Sequence, residues 1–199
     1  MLFRRSCVAS ALVVLLTACC FGDIALATTY YWDTTAGNMT GGSGNWSLSN
    51  SNLSVSTTGD ATLSAWTASG TDSAYFSTGS GTATVAVDGV TANNVTFNAG
   101  TAYAINGPGM LSVGTAGIAT NASATINAPV YIAASQSWTT SAGRTITFNS
   151  AISGPAASYP YYTASQLTLR GIGNAILRKT RNTICVGLGD MRKSRAEQD

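Results

Sequence analysis

Histidine is absent from the 199-residue chain. Its absence removes Ser-His-Asp and Cys-His catalysis and the commonest side-chain ligand for transition metals. Lysine and glutamate are absent between Thr28 and Ser165, where the only charges are Asp33, Asp60, Asp72, Asp88 and Arg144. Charged residues make up 9% of the chain, and its net charge of +2 comes from the two ends rather than from this body. A body without clustered Lys and Arg offers no basic surface to nucleic acid. Of the four cysteines, Cys7, Cys19 and Cys20 lie in or beside an N-terminal leader. Cys185 stands alone beyond it, so removal of the leader after Ala27 leaves no intramolecular disulfide and no zinc site. No G-x-S-x-G, phosphate loop or EF-hand loop is present.

The body aspartates are the remaining acid candidates. A glycosidase needs two carboxyl groups facing each other across a cleft, and calcium needs several clustered oxygens. The four Asp occur singly, each near a turn or segment edge. No catalytic, cofactor-binding or metal residue is assigned, and the expectation is a protein that is not an enzyme.

What the chain has is short alternating runs. Between Thr82 and Ile152 these include Thr84–Asp88, Val90–Phe97, Tyr103–Ile105, Met110–Val113, Ala124–Ile126, Val130–Ile132 and Thr145–Phe148. Each is closed by Gly, Asn, Asp or Pro, and period-2 alternation between such punctuation is the strand signal. Recurrence of strand signals on this scale suggests stacked coils. Val85 with Val87, Val95 with Phe97, Tyr103 with Ile105 and Leu111 with Val113 are the expected inward sets. Thr84, Ala86, Thr96 and Ala104 are expected to face outward or sit in tight corners. Asn93 and Asn94 are candidates for a corner ladder of stacked Asn.

Met1 to Ala27 reads as a targeting segment. Arg4 and Arg5 form a positive n-region, and Cys7 to Ala18 is an apolar run too short to span a bilayer. Ala25-Leu-Ala27 offers signal cleavage before Thr28. Leu16-Thr-Ala-Cys19 resembles a lipobox, which makes Cys19 a candidate for lipidation and residues 1–18 the alternative leader.

Aromatic residues are densest just after the leader, at Tyr30, Tyr31, Trp32, Trp46, Trp66, Tyr75 and Phe76. They read either as a cap over the open end of a coil stack or as a sugar-stacking platform. Trp46, Trp66 and Tyr75, together with Tyr159, Tyr161 and Tyr162 of a later Pro-containing loop, are the candidate ligand contacts.

Tyr31-Trp-Asp33, Gly44-Asn-Trp46, Trp66, Asp72–Phe76, Val85-Ala-Val87 and Val90–Phe97 follow one another in an order that resembles the N-terminal region of bacterial autotransporter-associated β-strand repeat proteins. The resemblance covers Tyr30 to Asn149. It implies a right-handed parallel β-helix and a surface or extracellular role.

The expected organisation is a signal peptide at 1–27, an N-terminal cap at 28–81, β-solenoid coils at 82–177 and a basic, disordered tail at 178–199. The change in charge density at Arg170, Arg178 and Arg181 suggests a truncated or frame-shifted reading frame. No series of tilted strands of ~9–11 residues for a membrane barrel fits after Ile152. The functional expectation is a non-catalytic, secreted or cell-surface structural or adhesion-type passenger. It has no transmembrane span once the leader is gone, and its expected partner is a surface or extracellular polysaccharide. A carbohydrate-binding module using exposed Trp and Tyr is the alternative, and a polysaccharide-degrading β-helix enzyme is the third reading.

Overall fold

The computed structural model describes residues 26–155, 166–171, 173–177 and 185–188. Among these residues every regular element is a strand. None is a helix long and apolar enough to cross a membrane. The fold is all-β. Its strands are β1 (Thr29–Trp32), β2 (Gly44–Trp46), β3 (Ser51–Ser54), β4 (Ser64–Ala65), β5 (Ser73–Phe76) and β6 (Ser80–Val85). Then come β7 (Val90–Phe97), β8 (Ala102–Asn106), β9 (Leu111–Thr120), β10 (Ala124–Ile126), β11 (Val130–Ile132) and β12 (Gln136–Thr140). The last are β13 (Thr145–Phe148), β14 (Ile152–Ser153), β15 (Gln166–Gly171), β16 (Asn174–Leu177) and β17 (Cys185–Leu188).

Six strands form one sheet in the order β16-β13-β10-β8-β6-β2, and eleven form the other. The larger sheet runs β17-β15-β12-β9-β7-β5-β1-β3-β4, with β11 and β14 joined through β9. Pairing is parallel throughout the smaller sheet. In the larger sheet β3 is antiparallel to both β1 and β4, and the other pairings among the described residues are parallel.

Alternation in sequence becomes alternation in burial. Strands such as Ala124–Ile126, Val130–Ile132 and Thr145–Phe148 turn every second side chain inward. Parallel register then stacks like on like. Ala83, Ile105, Ile126 and Phe148 form one buried column. Val90, Leu111, Val130 and Ile152 form a second, and Ala74, Val95 and Ile118 a third. Burying each Val, Leu, Ile or Phe contributes roughly 1.5–3 kcal/mol. In a chain with so few charges, these columns carry most of the stabilisation.

Through the middle of both sheets the chain length between paired strands is nearly constant, and it grows toward either end. Asn127 donates from Nδ2 to Asn106 Oδ1 at 2.6 Å across 21 residues, and Asn149 to Asn127 Oδ1 at 2.8 Å across 22. This amide ladder directly follows the Ile105, Ile126 and Phe148 column rather than forming at Asn93 and Asn94. Those two side chains reach forward instead. Asn93 Oδ1 accepts from the Thr115 hydroxyl, and Asn94 Nδ2 donates to the Ala116 and Gly117 carbonyls.

Of the expected inward residues, Val85, Val95, Phe97, Tyr103, Ile105, Leu111 and Val113 are buried. Val87 is not; it is 76% exposed. The ladder stops at Val85 because a turn follows, closed by the Gly89 N–H donating to the Ala86 carbonyl at 2.8 Å. Gly89 has φ +75°, and a Cβ there would lie 2.8 Å from the Met110 carbonyl oxygen, so this position requires glycine. Thr96 faces outward as expected, yet its side chain is covered. It is buried in register between Tyr75 and Ala119, with its hydroxyl donating to Asn94 Oδ1 at 2.6 Å.

Residues 28–81 share both sheets with residues 82–177, and β6 runs across the expected boundary. What sets the N-terminal part apart is the antiparallel β3–β4 excursion and the aromatic cluster beside it. The expected tail also needs one correction. Cys185–Leu188 is a strand paired in parallel with β15, with Val186 opposite Leu167 and Leu188 opposite Leu169. This pairing extends the larger sheet by one strand. The leader through residue 25, with Cys19, lies outside the described residues.

Candidate functional site

The two candidate tryptophans are core residues. Trp46 is 1% exposed and Trp66 2%. Trp46 closes β2, the terminal strand of the smaller sheet, and points inward by alternation. There it meets Trp66 edge-on with ring centres 5.2 Å apart, Phe76 at 5.9 Å and Trp32 at 6.2 Å. Phe76 stacks in turn on Phe97 at 4.9 Å, carrying the cluster into the columns. Trp66 Nε1 donates to the Thr91 carbonyl at 3.0 Å and Trp32 Nε1 to Gly42 at 2.9 Å. Neither Trp46 nor Trp66 can meet a ligand without unpacking this cluster, so both are withdrawn as ligand contacts.

Tyr75 sits differently. It is half-buried on the outer side of β5, opposite Tyr31 of β1, with ring centres 5.8 Å apart and planes at 50°. Tyr31 was not among the sequence candidates for contact. The signal was present, since alternation sets it on the face opposite Trp32. Tyr159, Tyr161 and Tyr162 lie outside the described residues.

The same outer face continues along the larger sheet. Tyr31, Tyr75, Thr96, Ala119, Thr139 and Arg170 follow in register. Beside them run Thr29, Ser73, Asn94 and Gly117. An open depression of about 320 Å³ lies farther along, lined by Thr115, Ala116, Ser135, Gln136, Ser137 and Thr168. Its base is fixed by Gln136, whose Nε2 donates to the Val113 carbonyl at 2.8 Å and whose Oε1 accepts from Trp138 Nε1 at 2.6 Å.

The carboxylates near the N-terminal cluster bind the chain's own loops. Asp33 is fully buried, and its Oδ1 accepts from the Thr35 and Thr40 N–H groups at 3.2 and 3.3 Å. Asp33 Oδ2, Ser77 Oγ and Trp46 Nε1 are buried without a hydrogen-bond partner. Asp60 Oδ2 accepts from the Ser54 hydroxyl and the Val55 N–H, each at 2.7 Å. Those bonds hold its carboxyl below the usual range. Asp72 Oδ1 accepts from the Thr28 N–H at 2.8 Å, and its Oδ2 from the Thr67 hydroxyl. Burial pushes the Asp72 carboxyl up, but the bonds from Thr67, Ser69 and Thr28 outweigh it and leave the group below its ordinary value. Asp88 lies exposed at the turn before Gly89. Among the described residues no three His, Cys, Asp or Glu come close enough to hold a metal ion.

Comparison with protein-family models, with curated proteins and with solved structures finds no match.

Proposed function

We propose that this chain is a non-catalytic, secreted or cell-surface passenger of structural or adhesive type. In this reading its sheets are the faces of one right-handed parallel β-helix closed at its N-terminal end by the aromatic cluster. The observation that carries the proposal is the repeated parallel register, in which the central strands of both sheets pair in order at a nearly fixed chain separation. A chain that advances one rung per repeat makes an extended, rigid body with long lateral faces, suited to display and contact. Right-handedness follows from the preference of parallel crossover connections.

The chemistry-bearing side chains support the same reading. Asp33, Asp60 and Asp72 tie loops and Trp46 and Trp66 fill the core. The basic n-region, the short apolar run and Ala25-Leu-Ala27 support export. The Leu16–Cys19 motif supports a lipid anchor as the alternative attachment.

The test is expression of the full chain in a bacterium with two membranes, followed by fractionation and mass measurement of the mature N-terminus. The expected product is outside the cytoplasm and begins at Thr28, or at a lipidated Cys19. It is also cleaved by protease added to intact cells. Recovery of an intact, cytoplasmic chain beginning at Met1 overturns the proposal.

A further inference from the structure

We infer that the outer face of the larger sheet carrying Tyr31 and Tyr75 binds an extended, neutral polysaccharide laid across the strands. This gives the surface-passenger reading a ligand class and rests on that reading for access to such a polymer. Six strands contribute to the face, in the order β1, β5, β7, β9, β12 and β15. At about 4.8 Å between neighbours they extend about 24 Å. An extended glycan advances by close to one strand spacing per sugar. The repeat of the polymer and the repeat of the sheet therefore run together.

The side chains match the two surfaces of a sugar. Its C–H face is apolar and suits an aromatic ring, while its rim of hydroxyls suits neutral donors and acceptors. Tyr31 and Tyr75 are half-buried side by side, their rings 5.8 Å apart and tilted at 50°, so each ring is held against the other before any ligand arrives. Little side-chain freedom is lost on binding. Beyond them the row falls to small residues, Ala119 with Gly117 beside it, and opens into the depression lined by Thr115, Ser137 and Thr168. Gly117 has φ +71°, and a Cβ there would collide with the Ser137 carbonyl, so the low point is built into the backbone. Along the Tyr31 row the one charge is Arg170, at the far end, so the face has no repeating cations to match the carboxylates of an acidic polymer, and neutral side chains line the rest.

The experiment uses the purified full chain with cellulose, chitin and a soluble β-glucan as neutral probes and alginate as the acidic one. Retention by at least one neutral probe, little changed by added salt, is expected. Tyr31→Ala and Tyr75→Ala should each weaken it by roughly tenfold, and Tyr75→Phe should retain it. Tyr131→Ala, on β11 outside these rows, should leave binding unchanged. Thr139→Arg blocks the face at an exposed position and tests it even where loss of a tyrosine unfolds the chain. Circular dichroism and Tm identify such variants.

Retention by no neutral probe overturns the inference. So does preference for alginate, a Tyr131→Ala loss equal to that of Tyr75→Ala, or full binding by Thr139→Arg. Self-association through this face, abolished by Thr139→Arg without glycan retention, assigns the face to a second copy and also overturns it. A chain that reaches the cell surface and binds no probe removes only this inference. A chain that binds but stays in the cytoplasm removes the passenger reading instead.

Discussion

Tyr103 ties the ladder to the N-terminal loops. Its hydroxyl donates to the Thr78 carbonyl at 2.9 Å and accepts from the Gly42 N–H at 3.0 Å, while its ring packs on Phe76. Tyr103→Phe keeps the ring and strips a part-buried N–H and carbonyl of their partner, so urea unfolding should show a loss of about 1–2 kcal/mol. Burial, with the Asp33 charge adding to it and the Gly42 bond opposing, raises the Tyr103 hydroxyl above its ordinary value. Its stabilising effect is complete below pH ~10 and is lost as pH rises through the raised folded value. Wild type should therefore lose stability in alkali more steeply than Tyr103→Phe. Asp72 has the opposite sign. Its folded value is lowered, so its contribution is complete above the ordinary carboxylate value of ~3.9 and is lost as pH falls below it. Asp72→Asn should flatten the acid limb of stability measured between neutral pH and the acid transition. At this scale the sequence spoke unevenly. The inward columns were legible from alternation, whereas burial of Trp46 and Trp66 was legible only as one of two readings, a cap or a sugar platform, because a Trp beside a turn serves in either. Asp33, Asp60 and Asp72 looked solitary because their partners are backbone N–H groups and hydroxyls, which leave no spacing signature.

Strands carry two kinds of column, and they should differ in cost. On β10, Ile126 lies in the buried column between Ile105 and Phe148, whereas Asn127 just beyond it joins the exposed amide ladder. Ile126→Ala should lose about 2–5 kcal/mol, since it removes buried methylenes and leaves a cavity. Asn127→Ala should lose no more than about 1.5 kcal/mol, as its bonds compete with water. Denaturant titrations of both variants separate the two, and equal losses would show that the amide ladder is structurally more than a surface trim. Strand existence was readable here from period and punctuation. Strand ends were less so, as Val87 shows, because the Gly89 turn claims residues that still alternate. The rung at Cys185–Leu188 went unread because basic neighbours masked a short apolar alternation.

The whole molecule follows from repetition. From β7 to β14 the parallel register sets Val90, Leu111, Val130 and Ile152 over one another, so this part of the core is assembled from local steps of similar length along the chain. The N-terminal aromatic cluster ends that series on one side, where β2 and the antiparallel β3–β4 pair stand at the sheet ends. Two sheets were not separable in the sequence, because every rung uses the same residue alphabet on each face. Register, however, can be tested directly across both. Thiol pairs at Ala104 with Thr125, Ser112 with Tyr131 and Ala119 with Thr139 sit on successive rungs in register. The native cysteines are replaced by Ser, and a short bifunctional thiol reagent is applied to the full chain. A single in-register stack predicts efficient intramolecular linkage for all three pairs, and none for Ala104 with Thr147, two rungs apart. Failure of the successive pairs, or equal linkage of the distant one, would contradict it.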